Sequence, residues 1–430
     1  MATHSERILP AAILAALVAA CDASAPYVPA SFGDRALVAD ATPLPPASLA
    51  RLAAVYGVEG SDGGFGSEVV ALARDGLLSI YADDNAAYLT LVPGCLDGGT
   101  RVVLEGPWRH GMSDASGLAR FFVAPEATAR ALCADTVPVE PPRLVGAFVE
   151  RAPPDPFPEA LTTFVRARAL VDPEGRFRVI AHRGGCRTAD DCGASENSAE
   201  VLRLASRLGA NGVEIDVRVT SDGVAVLYHD EELNPRLVRG RYCLGPLADF
   251  SSAHLQAFCR LQFGEAIPTL DEALRTVVED TSLEAVWLDV KTPESMNAAI
   301  DSVRRAQALA ASRGRMVHFG VGLAEQGILD AWMAAGAPAD VRCLCELEPD
   351  DARRAGCEVW APRWTRGPLT ADVAALHAEG IAVAFWTLDE SAFIDVVIED
   401  ARPDAILTNR AGVVAHRFQT VGHLSDRLVP

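Results

Sequence analysis

Positive charge is scarce in this sequence. Among its 430 residues, 38 Lys and Arg face 58 Asp and Glu, a formal net charge of −20. A field of that sign repels phosphate backbones, and no basic stripe with interleaved aromatics offsets it, so no nucleic-acid partner is expected. An anionic small substrate would need a local cationic pocket or a bound metal to overcome the same repulsion. CxxC pairs are absent and no histidine stands at ligand spacing beside a cysteine, which leaves little basis for a zinc site. The apolar run from Ile8 to Ala20 is too short to span a bilayer.

That run fits a different role. "MATHSERILPAAILAALVAACDAS" starts polar, with Arg7, passes through the apolar core and closes on "LVAAC". The order is that of a signal peptide. The ending resembles the lipobox of bacterial lipoproteins, with Cys21 as the first mature residue and the carrier of lipid. An ordinary secretory signal with an incidental cysteine is the alternative; small residues before Cys21 and a polar tether after it favour the lipoprotein. The chain is therefore expected to be exported and lipid-anchored to the bacterial cell envelope, with the membrane as a partner. Its 10 cysteines agree with an oxidising compartment. Local grouping pairs Cys95 with Cys133, Cys186 with Cys192, Cys243 with Cys259, and Cys357 with Cys343 or Cys345, leaving one thiol over.

Composition divides the chain into a signal peptide over 1–20, an Ala/Pro/Ser-rich tether over 21–50, a β-rich accessory domain over 51–150 and a larger domain over 151–430. In the accessory domain "LLSIYA", "AAYLTLV", "TRVVLEG" and "LARFFVA" read as strands. Trp108, Arg109 and His110 stand together there, read more simply as a core aromatic with solvated neighbours than as a binding patch. A proline-rich stretch follows. Beyond it, "RVIAH", "GVEIDV", "AVWLDV", "MVHFGVG", "VRCLCEL", "EVWAP", "IAVAFWT" and "DAILT" alternate with helical segments such as "SAEVLRLASRLG". That alternation predicts an α/β fold, a TIM (β/α)8 barrel preceded by the small β-rich domain. "VAVLYHD" follows the turn "TSDG" and reads as a strand folding back over the mouth. No glycine-rich loop opens a helix after the first strand, which weighs against a doubly wound nucleotide-binding sheet.

The carboxyl ends of these runs carry the polar residues. The first ends in His182 and Arg183, and the second carries Glu214 and Asp216, two apart and so on one face of the strand. The folded-back run ends in His229 and Asp230, the third stave in Asp289 and Lys291, and the seventh carries Trp386. Ring closure would gather them at one rim. Glu214, Asp216 and Asp289 are hard oxygen ligands suited to Mg²⁺ or Ca²⁺, and their mutual repulsion calls for a cation. His182 and His229 suit a general acid and base. Arg183 and Lys291 offer a planar fork and a point charge to phosphate oxygens. Together they describe a phosphoester site. Trp386 reads as readily as barrel core as a substrate wall, Glu346 belongs to no motif, and His254, His318, His377, His416 and His423 read as structural.

The motifs "AHRGG", "SENS", "GANGVEIDVRVTSDGVAVLYHDEEL", "IPTLDEAL", "WLDVK", "AFWTLDE" and "PDAILTNRAG", in this order over 178–415, resemble the glycerophosphodiester phosphodiesterase family. The resemblance implies hydrolysis of a small glycerophosphodiester to glycerol 3-phosphate and an alcohol. It implies His182 and His229 as catalytic histidines, Arg183 as a phosphate contact and Lys291 as the motif's lysine. It also implies Glu214, Asp216 and Asp289 as ligands of a divalent cation, with Glu196 of "SENS" as a further one. Three departures stand out: "CRTADDCGA" lengthens the first loop, Asp289 replaces the more usual Glu, and 233–263 lacks the threonine-rich stretch expected after "HD". The altered segment leaves room for a phospholipase D-like activity on lysolipids or sphingomyelin. An inactive surface-binding lipoprotein is the remaining alternative, opposed by the intact polar set. Nothing in the sequence sets the oligomeric state.

Cys21→Ala is expected to release the protein from membranes while leaving the barrel folded. Detergent fractionation of both forms checks it, and equal membrane association would refute the lipid anchor.

Overall fold

The computed structural model describes residues 27–150, 156–158, 161–185 and 192–421. Cys21, Cys186 and His423 lie outside these residues. Apolar alternation forms the first sheet: in Ala87–Leu96 the side chains of Ala87, Leu89 and Leu91 face inward and Tyr88 and Thr90 are less buried. Ala87–Leu96 pairs antiparallel with both Leu77–Tyr81 and Arg101–His110, which closes the sheet into a ring. Closure needs Thr162–Arg168, which lies between Ala54–Gly60 and Arg143–Glu150. The sheet therefore runs past the boundary at 150, because without that strand two apolar-faced edges would stay unpaired. Gly106, Gly117 and Gly146 sit where a Cβ would strike the backbone of the neighbouring strand, so the tight curvature depends on them.

Trp108 is buried in this ring. Arg109, expected to be solvated, is buried too, with its guanidinium 4.2 Å from the centre of the Tyr27 ring.

The second sheet is the expected parallel barrel. Its staves are β1 Arg178–Ala181, β2 Gly212–Val219, β3 Ala285–Val290, β4 His318–Leu323, β5 Arg342–Cys345, β6 Val359–Trp360, β7 Ala382–Phe385 and β8 Ala405–Thr408. β1 pairs with both β2 and β8, closing the ring. Ala225–Leu227 folds back antiparallel on β2, as the "TSDG" turn predicts. "IPTLDEAL" begins a helix at Leu270–Asp280, fixed by a capping box between Thr269 and Glu272.

Both sheets contribute to one core: Val55, Val70, Leu72 and Tyr81 of the antiparallel ring pack with the barrel's outer layer. Polar contacts pin the seam. Arg74 donates to the Ala210 carbonyl at 2.8 Å, and the Tyr81 hydroxyl to that of Arg207 at 2.9 Å. Disulfides join Cys95–Cys133, Cys243–Cys259 and Cys343–Cys357, and Cys345 is the buried free thiol among the described residues. Cys192 is also disulfide-bonded. No helix among the described residues is long and apolar enough to cross a membrane.

The seam generates a test. Arg74→Ala combined with Tyr81→Phe removes a charged and a neutral hydrogen bond, so stability should fall by about 2–4 kcal/mol. A denaturant midpoint unchanged from the parent would show that the seam is held by apolar packing alone.

Candidate active site

β1 ends in "HRGG", and three successive residues there have left-handed backbone: Arg183 at φ 54°, Gly184 at 87° and Gly185 at 114°. A Cβ on Gly184 would strike the Val201 side chain, so glycine is required at that position. The sharp turn keeps His182 and Arg183 at the rim. It also aims the Arg183 backbone N–H at Glu214 Oε2, 2.7 Å away.

The following loop returns to the same place. Ser198 caps the helix Ala199–Ala205 by accepting from the Val201 N–H. Asn197, at φ 60°, brackets Asp216, donating to Oδ2 at 2.6 Å and accepting from the Asp216 N–H at 3.0 Å. Glu196 Oε1 accepts from Arg183 at 2.7 Å. The loop thus sets both the arginine and the central carboxylate.

Register supplies the rest. Asp216 of β2 and Asp289 of β3 are direct neighbours across the parallel pair. One oxygen from each of Glu214, Asp216 and Asp289 lies within 4.8 Å of the others. Glu196 is outside this group. The structure gives it to Arg183, whose Nε is also 3.4 Å from Asp216 Oδ2, so it supports the carboxylate cluster through the arginine instead of joining it.

Lys291, the one lysine in the whole sequence, pairs with Asp289 and lies 2.8 Å from Asp216 Oδ1. Glu214 Oε1 and Asp289 Oδ1 are buried without a hydrogen-bond partner, and Asp216 Oδ1 meets Lys291 without hydrogen-bond alignment. Burial, then Asp216 and Asp289, push the Glu214 carboxyl well above the usual range. Burial and Asp216 raise that of Asp289 despite Lys291. Burial opposes ionisation of Asp216 as well, but Lys291 and Arg183 overcome it and hold its carboxyl low. Two orphaned hard oxygens and a third met only by Lys291, on carboxylates that repel one another, could serve as the donor set of a divalent cation. With Glu196 included, four carboxylates face two cationic side chains here, and a divalent ion would cancel the difference.

Two histidines flank this group. Asn409 donates its amide to Asp389 Oδ2 at 2.7 Å, which orients its Oδ1 toward His182 Nδ1 at 2.8 Å. That oxygen can only accept, so Nδ1 carries the proton and Nε2, 3.8 Å from Glu214 Oε2, faces the carboxylates. His229 Nδ1 is 2.7 Å from Asp230 Oδ1. Asp230 is held in turn by Asn234 at 2.7 Å and Arg236 at 2.6 Å. Burial, only partly opposed by Asp216 and Asp230, holds the His229 imidazole below its usual range.

A cavity of about 530 Å³ at the carboxyl ends of the staves is lined by His182, Arg183, Glu214, His229, Asp289, Lys291 and Trp386, among others. Asp216 lies just beneath it, fully buried. Trp386 is a wall of the cavity and also leans on the barrel interior, with Nε1 donating to the Ala361 carbonyl at 2.7 Å. Arg363 stacks 4.5 Å over its ring and also borders the cavity. Glu346, unassigned from sequence, borders it as well, its carboxyl pushed up to about 8 by burial and then by Asp289.

The supporting residues Asn197, Asp389, Asn409 and Arg363 were not singled out from sequence. The first three lie inside quoted motifs, where side-chain partnership was the missing information. Arg363 had no such signal. Four of the histidines read as structural are bonded away from the cavity: His254 to the Tyr242 carbonyl, His318 to Arg342, His377 to Asp404 and His416 to the Glu68 carbonyl.

Comparison with known proteins adds an independent finding. Residues 182–313 match the model of the "Glycerophosphoryl diester phosphodiesterase family". A "Probable glycerophosphodiester phosphodiesterase 2" of Mycobacterium tuberculosis is 30% identical over 242 residues, covering 51% of this chain and 83% of that protein. A "Glycerophosphodiester phosphodiesterase 1" of Mus musculus is 35% identical over 138 residues, but the chain spans only 40% of its length. Among solved structures, a phosphodiesterase of Oleispira antarctica, in complex with the product sn-glycerol-3-phosphate, has 19% identity and a TM-score of 0.45, covering 55% of this chain and 94% of that one.

The carboxylate geometry separates two acidic residues. Asp216→Asn is expected to abolish divalent-cation binding in calorimetric titration, whereas Glu196→Gln should keep the same stoichiometry. Loss of the ion in Glu196→Gln, with an unchanged thermal transition, would place Glu196 among the ligands after all.

Proposed function

The chain belongs to the glycerophosphoryl diester phosphodiesterase family, and from that premise we propose that it hydrolyses glycerophosphodiesters to glycerol 3-phosphate and an alcohol. The single observation that carries the proposal is the pair of histidines, each with Nδ1 anchored, in one cavity with Glu214 and Asp289 and directly above the buried Asp216. Glu214, Asp216 and Asp289 would hold Ca²⁺ or Mg²⁺, which when bound supplies a Lewis acid for the phosphoryl oxygens.

The chain's own residues handle the protons. One imidazole Nε2 removes the proton from the glycerol hydroxyl vicinal to the phosphate, and that oxygen attacks phosphorus. The bond to the departing alcohol breaks as the other histidine, in its imidazolium form, gives that alcohol a proton. Water then opens the cyclic phosphate with the two roles exchanged, returning both rings to their starting states. Asn409 and Asp230 fix the ring orientations this exchange needs. Arg183 and Lys291 hold charge near the phosphoryl group, and Trp386 walls the glycerol side.

The protein is proposed to work outside the cytoplasm, tethered by lipid on Cys21. A second reading, a phospholipase D-like activity on lysolipids or sphingomyelin, draws on one observation: the segment after His229 builds a cap with its own apolar core, including Leu233, Leu237, Leu247, Leu255 and Leu261.

Replacing His182 or His229 with Ala should lower turnover of glycerophosphocholine by about a hundred-fold to ten-thousand-fold with cation content unchanged. Wild-type turnover in His182→Ala would refute the assignment. Parallel assays on lysophosphatidylcholine, with and without EDTA, distinguish the two substrate classes and an inactive barrel.

A further inference from the structure

Between its acidic ends, Asp230 to Glu232 and Glu265, the cap reverses the charge balance of the molecule. Between residues 235 and 262 the charged side chains are Arg236, Arg239, Arg241, Arg260 and a single Asp249, in a chain whose formal net charge is −20. The same segment leaves large apolar side chains in solvent: Leu244 is 71% exposed, Tyr242 57% and Phe258 52%. The two aromatic side chains are held together. The Cys243–Cys259 disulfide joins the two arms of the cap, the Tyr242 and Phe258 rings meet edge to face at 5.8 Å, and Arg241 stacks on Tyr242. Val238–Arg239 pairs antiparallel with Arg260–Leu261, which places two of the arginines on adjoining strands.

This group of side chains has a fixed base. Beneath it lies the cap's own apolar core, and the cap's root holds the mouth of the barrel: Asn234 and Arg236 both bond Asp230, the partner of His229. Ser195, next to Glu196, is tied to the far end of the cap through Glu265 at 2.7 Å. A rigid, arginine-bordered group of apolar side chains beside the catalytic mouth is therefore exposed to whatever lies above it.

The geometry points to this cap as a docking surface for an anionic lipid bilayer, with Tyr242, Leu244 and Phe258 entering the interface and Arg239, Arg241 and Arg260 meeting lipid phosphates. Aromatic and aliphatic tips flanked by arginine are the composition that the headgroup region accommodates, because the rings and stems enter the acyl boundary while the guanidinium groups stay with phosphate. The four arginines between residues 235 and 262 make this stretch one that an anionic surface would not repel, and the exposed Tyr242, Leu244 and Phe258 among them select a bilayer, whose interface takes apolar side chains, over an acidic-surfaced protein. Screening confines the repulsion from the rest of the molecule to about 8 Å at physiological salt, so the cap's exposed side chains can make contact despite it. Docking by this face would hold the mouth against a source of glycerophosphodiesters. The inference rests on the phosphodiesterase reading only for that consequence; bilayer binding stands on the cap alone.

The test is co-sedimentation of the full chain, carrying Cys21→Ala so that lipid on that cysteine plays no part, with phosphatidylcholine vesicles prepared with and without phosphatidylglycerol. Binding should increase with phosphatidylglycerol. Arg239→Glu with Arg241→Glu should weaken it by at least about ten-fold, since each cation near such a surface contributes about a five-fold factor. Leu244→Asp with Phe258→Ser should weaken it on both vesicle types, and Arg241→Glu alone gives a smaller loss should a double variant fold poorly. Turnover of soluble glycerophosphocholine should be equal in all forms. No sedimentation of the parent chain, or variants that bind as the parent does, overturns the proposal. So does light scattering that shows Leu244→Asp splitting a dimer, which would make the patch a self-association surface. Absence of turnover with vesicle binding intact would instead count against the phosphodiesterase reading.

Discussion

Crowded negative charge is the constraint on which the rest of the barrel mouth depends. Three carboxylates with oxygens within 4.8 Å of one another cannot all ionise in a buried setting without compensation. Lys291 and Arg183 supply part of it, and each is fixed by contacts with the carboxylates around it. Arg183 is immobilised by Glu196 and Asp216, and Lys291 by Asp216 and Asp289. The left-handed turn at "HRGG" and the bracket formed by Asn197 both place these charges, and a more relaxed backbone would move Arg183 out of reach. The remaining orphaned oxygens are what a cation would satisfy.

The same economy of placement extends outward from the two histidines. His182 is oriented by Asn409 from β8's exit, and Asn409 by Asp389 from β7's exit, so ring closure itself sets the imidazole. His229 depends on Asp230, and Asp230 on two cap residues. One histidine is thus secured by the barrel and the other by the cap. A change at Asn234 or Arg236, the root of the cap, would be felt at His229 before it reached His182.

The accessory ring is joined to the barrel by more than a tether. Its apolar residues enter the barrel's outer core, and Arg74 and Tyr81 satisfy carbonyls that follow the helix Ala199–Ala205. That helix begins at Ser198, directly after Glu196 and Asn197. The ring therefore buttresses the loop that positions Arg183 and Asp216, though none of its described residues lines the cavity.

The sequence by itself determined the alternation of eight β-rich runs with helices, the fold-back of "VAVLYHD" and the polar residues that gather at the strand tips, because these follow from local periodicity and residue type. Strand spacing of two put Glu214 with Asp216, and Asp289 with Lys291, on common faces. The Cys95–Cys133 and Cys243–Cys259 pairs were legible for the same local reason, as was a bridge to Cys357 apart from the choice between Cys343 and Cys345. Only tertiary structure decided what each charge faces. Glu196 pairs with Arg183 instead of joining the carboxylates, Arg109 is buried, Glu346 and Arg363 border the cavity, and Thr162–Arg168 completes the first ring. Each of these depends on contacts between residues far apart in sequence, whose register and direction come from closing two sheets, and no local pattern carries that information.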